Sequence, residues 1–547
     1  MEVVSPSGVG AEPWTRRLAC LGGFLGGLLY LNDHLYPKLV DFHWPVFLGL
    51  IGLGGAACGG LARALGPRLS ALWARLAPWR RPGAWTLLFF LAAYLYTMAG
   101  HLYSCDDRFR YRTAQALAEH GSLNLAIAPG EVFCSKYGVL HSLLAAPLYL
   151  AGRAWFGADD PRRLEAAVSA LMPLVSAASA GVFWRLLTSL GFAPRSALAT
   201  VLSLGLTTMA WPYSRYFFTE PLVGICFTLA FLGLALHQRG GGAKAALLTG
   251  LALGLGGLDS LPVLLLAAPL ALAGLAVSLA GHPPGRRRWR DLAWSLLPLL
   301  LAGLACLWLN QVRFGSPWLT GYEDDHGYPN PAYDGRPGFS TPLYVGLFGL
   351  LLSPGKSLFL YSPPLLAAMA FLPRFLRQFR LIGGTSLALC LAWLAFYATW
   401  WCWHGDHAWG PRFLVPLLPL LCLPLAVAFR DWSGLGLAAR SAIWALLGLG
   451  AAVQVIALLV PYECFIVNQV TPDYANQFLL HFVPQHSPLW GQLRMLPQAV
   501  RLDFWPEDNI FAWVACAAAV VLGHWAWWAS AGPPGQAPLT ACPAGTK

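Results

Sequence analysis

The sequence predicts an all-α, polytopic transmembrane bundle of about fourteen spans, and three observations predict it. Apolar runs of about 17–25 residues recur from end to end, the length at which a helix crosses roughly 30 Å of hydrocarbon. The 547 residues are 57% hydrophobic and only 11% charged, with a mean hydropathy of +0.55. Basic residues gather in short connections: Arg63, Arg68, Arg75, Arg80 and Arg81; Arg286 to Arg288 with Arg290; Arg374, Arg377 and Arg380. Such clustering marks the loops that stay inside, and it turns the formal net charge of +11 toward a membrane and away from nucleic acid. The 25 Trp and 18 Tyr suit aromatic belts at the two interfaces.

In chain order, spans are expected at 18–31, 44–62, 84–103, 164–187, 196–211, 217–237, 245–258, 259–281, 291–312, 358–373, 381–401, 411–429, 441–461 and 508–530. Arg16 and Arg17 precede the first run and no small-residue cleavage site closes it, so it reads as a retained anchor. Charge decides the segment 136–153. As a span it would turn every later loop over and face the Arg286–Arg290 cluster outward, so it is expected to lie at the interface as a re-entrant or surface helix. Both termini then fall in the cytoplasm, and four polar segments fall on the outer face: 104–163, 313–357, 402–412 and 462–507.

Four regions follow: a two-span extension with a basic loop (1–83), a core containing the first outer loop (84–312), a second membrane region (313–530), and a disordered tail rich in Pro, Gly and Ala (531–547). The 12 cysteines match no metal spacing. Four lie on the outer side: Cys105, Cys134, Cys402 and Cys464. A Cys105–Cys134 bridge would close a loop of about 28 residues and contribute about 3–4 kcal/mol by chain entropy. The same residues as free thiols carry equal weight, and a Cys402–Cys464 pair is left open.

Chemistry concentrates in the first outer loop, HLYSCDDRFRYRTAQALAEHGSLNLAIAPGEVFCSKYGVLH, from His101 to His141. The spacing predicts a helix from Asp107 to His120 lying along the headgroups. Phe109, Thr113, Ala116, Leu117 and His120 would form one face, and Arg108, Arg112, Gln115 and Glu119 the other. Asp106 and Asp107 at its start either cap it and complement its dipole, worth about 0.3–2 kcal/mol, or serve a reaction. The same face of the membrane carries Lys136 and Tyr137, Arg215 and Glu220, Lys356, and Arg412. Lone cations at such positions either snorkel to headgroups or bind something. Carboxylates and cations together beside a bilayer fit sugar transfer from a polyprenyl-phosphate donor. Cations hold the leaving phosphate as charge develops, and a carboxylate takes the proton of the attacking hydroxyl.

The runs SCDDRFRY, SKYG, RYFFTEP and WGPRFLVP resemble the GT-C superfamily of polytopic glycosyltransferases, nearest its bacterial branch of protein O-mannosyltransferases and lipid A aminoarabinose transferases. The resemblance runs from about residue 84 onward. It implies Asp106 as base with Asp107 supporting, Glu220 as a second acid, and Lys136 and, more loosely, Arg412 at the donor phosphate. The acidic pair is followed by Arg-Phe-Arg-Tyr, one residue longer than the Asp-Glu-x-Arg-Tyr spacing of some relatives, which leaves open which acid is the base. By position, Tyr137, Arg215 and Lys356 join the phosphate contacts, while Arg110, Tyr111, His141, His404, Asp406 and His407 join the substrate lining. No cofactor is required. A divalent cation at His404, Asp406 and His407 is the less favoured reading beside a polar turn in an aromatic belt. Glu323-Asp324-Asp325 reads as a solvated turn or part of the acceptor path, and Asp259 as the outer tip of a hairpin.

The function expected is that of an inner-membrane glycosyltransferase. It would move a sugar, with inversion, from a polyprenyl-phosphate donor to a hydroxyl of a glycan, lipid or protein on the periplasmic side. The alternative is a transporter or flippase of a lipid-linked saccharide, a class marked by repeated halves and ionisable residues at mid-membrane. A scaffold for envelope assembly is a third reading, and it would tolerate loss of the acidic pair.

Overall fold

The computed structural model describes residues 82–126, 131–280, 286–323, 338–469 and 477–499. The expected spans at 18–31, 44–62 and 508–530, the tail, Asp324, Asp325 and the side chain of Cys464 lie outside the described residues. Within them the chain is helical, with one isolated bridge between Asn124 and Cys134.

The helices that matter here are α1 (Pro82–Tyr96), α2 (Cys105–His120), α3 (Leu140–Phe156), α4 (Pro161–Ser169), α5 (Leu171–Ser189), α6 (Pro194–Thr207), α7 (Glu220–Gln238) and α8 (Gly242–Asp259). There follow α9 (Leu261–Leu266), α10 (Ala268–Ala280), α11 (Arg286–Phe314), α12 (Leu343–Leu351), α13 (Pro364–Gln378) and α14 (Arg380–Thr399). A stretch of 3-10 helix, Arg412–Leu417, runs into α15 (Leu418–Cys422) and α16 (Leu425–Arg430), and α17 (Leu437–Leu459) comes after. Many start at a proline, whose missing N–H costs nothing in a first turn and whose φ is already helical. Among the described residues six segments are long and apolar enough to cross a membrane: 161–189, α7, 289–314, α14, 412–430 and α17. The polytopic all-α class is thus as the sequence predicts.

Two details differ from expectation. Helix α2 buries Thr113 and Ala116 of the expected face, but Asp107, Arg110 and Ala114 in place of Phe109, Leu117 and His120. The reason is α3, not lipid. Ala114 packs into a cluster with Ala145, Tyr149 and Leu164, and the Ser142 hydroxyl donates to the Arg110 carbonyl at 2.9 Å. Second, Trp393, Trp403 and Trp409 are fully buried in the core rather than placed in an interfacial belt, with Phe227 edge-on to Trp393 at 5.1 Å. Trp155, Trp289 and Trp318 are exposed.

In the first loop Cys105 and Cys134 are free thiols. Hydrogen bonds from one asparagine do the tying instead. Asn124 accepts the Phe133 and Ala126 N–H groups at 2.9 and 3.0 Å and donates to the Glu131 carbonyl at 2.8 Å.

Candidate active site

The site forms where helix ends converge. The Ser104 hydroxyl accepts the Asp107 N–H at 3.2 Å, while the Asp107 carboxylate accepts the N–H groups of Tyr103 and Ser104 at 3.1 and 3.3 Å. This is a reciprocal cap. It ties one oxygen of Asp107 to the backbone, leaves the other buried without a partner, and turns Asp106, one residue earlier, toward the cavity. At the far end of the loop Gly138 crosses the C-terminus of α8 so closely that a Cβ there would stand 2.0 Å from the Asp259 carbonyl oxygen. Val139 N–H donates to the Leu258 carbonyl at 3.1 Å, and His141 N–H to the Asp259 carboxylate at 2.9 Å. The other Asp259 oxygen takes the Thr219 hydroxyl, immediately before Glu220. Arg313, at the end of α11, donates to the carbonyls of Ser135 and Tyr137 at 3.0 and 2.8 Å. One short segment carrying Lys136 and Tyr137 is therefore pinned from both sides.

These elements enclose a cavity of about 770 Å³. At its centre Arg412 bridges two carboxylates, with Nη2 at 3.0 Å from Asp106 and Nε at 3.6 Å from Glu220. The Tyr137 hydroxyl donates to the other Asp106 oxygen, and the Arg110 guanidinium stacks 4.3 Å over the Tyr137 ring. Arg110 is 6% exposed and its Nη1 has no hydrogen-bond partner, and neither has Oε2 of Glu220, a residue 5% exposed. Lys136 lies over the rings of Tyr322 and Tyr137 at 5.0 and 5.8 Å. Another stretch of the wall, formed by Leu261, Leu265, Leu309, Phe339 and Phe396, is apolar.

The two neighbouring acids differ electrostatically. Burial pushes Asp106 up, but Arg412 and Arg110, with the hydrogen bonds of Tyr137 and Arg412, outweigh it and hold the carboxyl below its ordinary value. Burial dominates at Asp107 and raises it to about 7.

Of the residues singled out in the sequence, Asp106, Glu220, Lys136, Tyr137, Arg412, Arg110, Asp406 and His407 line this cavity. Others stand behind its wall. Asp107 is inside the cap. Arg215 is buried against the Tyr103 hydroxyl and the Leu458 carbonyl. Tyr111 packs on Tyr149, and His141 packs on Phe217. Lys356 donates to the carbonyls of Asp406 and Ala408 at 3.0 and 2.6 Å. It braces the turn that carries Asp406 and Arg412, and burial and Arg412 lower it to about 7. His404 accepts the Asp406 N–H at Nδ1, 3.0 Å away, so that lone pair is not offered to a cation. Among the described residues no group of three His, Cys, Asp or Glu is placed to hold a metal ion.

The cavity also takes in Asp259, read from the sequence only as a hairpin tip, and residues that sequence reading passed over: Tyr103, Arg313, Tyr322 and Glu463. An acid at the seam of two apolar runs was the available signal for Asp259. Arg313, directly after an expected span, had no signal beyond its position.

Two solved structures align with most of this chain. Against ArnT from Cupriavidus metallidurans bound to undecaprenyl phosphate, the identity is 14% and the TM-score 0.48, over 83% of this chain and 77% of that one. Against ArnT from the same organism in the apo state, the values are 15% and 0.49, over 81% and 77%. No protein-family model matches the chain, and no curated protein does.

Proposed function

We propose that this protein is a membrane glycosyltransferase that takes a sugar from a polyprenyl-phosphate donor and passes it to an acceptor hydroxyl, on the periplasmic side of an inner membrane. The observation that carries this reading is the arginine-bridged pair of carboxylates, Asp106–Arg412–Glu220, in the wall of a cavity of about 770 Å³ beside an apolar flank. An isoprenoid chain suits the flank formed by Leu261, Leu265, Leu309 and Phe396. The phosphate suits Arg110, whose Nη1 is unpartnered, with Lys136 close by on the next segment. Both would hold the leaving phosphate as its charge grows, the electrostatic part of the catalysis. A carboxylate receives the acceptor's proton as the oxygen attacks the anomeric carbon from the opposite face, so the centre inverts. The motif resemblance supports the same reaction class.

The test is reconstitution of the full-length protein in vesicles with radiolabelled undecaprenyl-phosphate-linked hexoses and pentoses and a membrane extract. The expected result is loss of label from the prenyl carrier into an acceptor, abolished by Arg412→Ala. Label that crosses the bilayer while staying on the carrier would overturn the proposal in favour of transport.

A further inference from the structure

We propose that Glu220, rather than Asp106, is the base that deprotonates the acceptor hydroxyl, and that Asp106 is the positioning residue holding Arg412. This rests on the glycosyl-transfer reading above and assigns the roles within it.

A general base needs an oxygen that faces the substrate with no stronger donor already on it. Asp106 fails that requirement at both oxygens. Oδ1 takes the Tyr137 hydroxyl, and Oδ2 takes the Arg412 guanidinium at 3.0 Å, a charge-assisted bond. Glu220 meets it. Its Oε1 is ion-paired with Arg412 Nε at 3.6 Å, longer than a hydrogen bond, and its Oε2 is buried without a side-chain partner. A buried carboxylate oxygen left unsatisfied is costly. Glu220 lines the cavity, and a substrate O–H there would satisfy that oxygen.

The acceptor chemistry follows from the same wall. Among the described lining residues the carboxylates Asp106, Glu220, Asp259, Asp406 and Glu463 outnumber the four Arg and Lys. A donor phosphate uses part of that positive charge, so a second phosphate as nucleophile is electrostatically disfavoured. It would also need no base, being anionic already. A neutral hydroxyl both tolerates the charge balance and requires a base. In the step, the acceptor oxygen forms a bond to the anomeric carbon while the bond from that carbon to the phosphate oxygen breaks. The electron pair leaves on the phosphate, and the hydroxyl proton passes to Glu220 Oε2.

Azide separates the roles, because it is a nucleophile with no proton to lose. The full-length protein in vesicles is given the same labelled undecaprenyl-phosphate sugars with membrane extract, or with sodium azide alone. Undecaprenyl phosphate binding, read by quenching of tryptophan fluorescence, checks that each variant is folded. Glu220→Gln is expected to lose at least about 100-fold in transfer to hydroxyl acceptors, the usual worth of a general base, and to form glycosyl azide at a rate near that of the wild type. Asp106→Asn is expected to lose both reactions, because Arg412 is no longer held. The assignment is overturned if Glu220→Gln keeps hydroxyl transfer, if it loses azide transfer while still binding the carrier, or if Asp106→Asn is the variant that azide rescues. Failure of the wild-type protein to release sugar to any acceptor would sink the transferase reading itself, and this assignment with it.

Discussion

Replacing Gly138 by alanine probes the placement of the whole lysine–tyrosine segment with a single methyl group. The added Cβ would meet three backbone atoms of Asp259, at 2.0 Å from O, 2.3 Å from C and 2.4 Å from Cα. Backbone at a helix terminus cannot rotate aside as a side chain does. To regain ordinary contact near 3.4 Å the loop must retreat by about 1.4 Å. Two hydrogen bonds run along the same seam, Val139 N–H to Leu258 O at 3.1 Å and His141 N–H to Asp259 at 2.9 Å, and both stretch with it. Overpacking of this kind costs about 1–3 kcal/mol. Lys136 and Tyr137 sit two residues and one residue before the clash, so the retreat also loosens the Tyr137 bond to Asp106. A misplacement of about 1 Å in a reacting assembly can cost about 100-fold in rate. The expected outcome for Gly138→Ala is therefore a rate of sugar transfer down by roughly two orders of magnitude with a modest fall in melting temperature, measured on detergent-purified protein. A variant with wild-type turnover would refute the claim that this crossing sets the position of Lys136 and Tyr137.

Asp107→Asn is expected to retain turnover within about threefold, because an amide oxygen can accept the same two backbone N–H groups, whereas Asp106→Asn loses it; parallel transfer assays decide. Tyr137→Phe removes a hydrogen bond that lowers Asp106. The carboxyl then protonates at higher pH, which an infrared titration of the carboxyl band on both proteins reads directly. For Lys356, lowered to about 7 in the folded state, the unfolded chain binds the extra proton between pH 7 and the usual lysine range. Stability therefore rises with pH across that window. Lys356→Met should abolish that rise, lower the melting temperature and slow transfer, although the side chain stands behind the cavity wall; melting curves from pH 7 to 10 check the sign.

Much of the helical order was legible because apolar run length and proline position are local properties. Expected spans such as 164–187, 217–237 and 381–401 fall on α4 with α5, on α7 and on α14. What was not legible is which side of a polar helix faces protein. Periodicity put Phe109 and Leu117 on the buried face of α2, but α3 packs against it and takes Arg110 and Ala114 instead. Arg215 and Lys356 looked like free cations because they stand alone in the sequence. Backbone carbonyls of Leu458, Asp406 and Ala408, distant in the chain, are among their acceptors. Asp106 and Asp107 were equivalent by spacing, and only the reciprocal cap with Ser104 divides them.

The pairing of Glu220 with Arg412 is set one turn below the charges. Both residues open helical segments that run into the bundle in the same direction. Four residues further on, Gly224 of α7 meets Pro416, where an added Cβ would lie 3.4 Å from the proline Cα. That is ordinary van der Waals contact, so the two backbones lie side by side here. Pro416 has no N–H to leave unsatisfied at that contact, and Pro419 and Pro424 break the same stretch into short pieces. Interrupted backbone inside a membrane is tolerated where protein buries it or it borders a cavity, and 78% of this segment is buried. This contact helps bring the guanidinium within 3.6 Å of Glu220 on one side while it holds Asp106 at 3.0 Å on the other. A contact between a glycine and a proline-rich stretch thus helps place a cation that joins the first loop to the membrane core, as Arg313 does from α11.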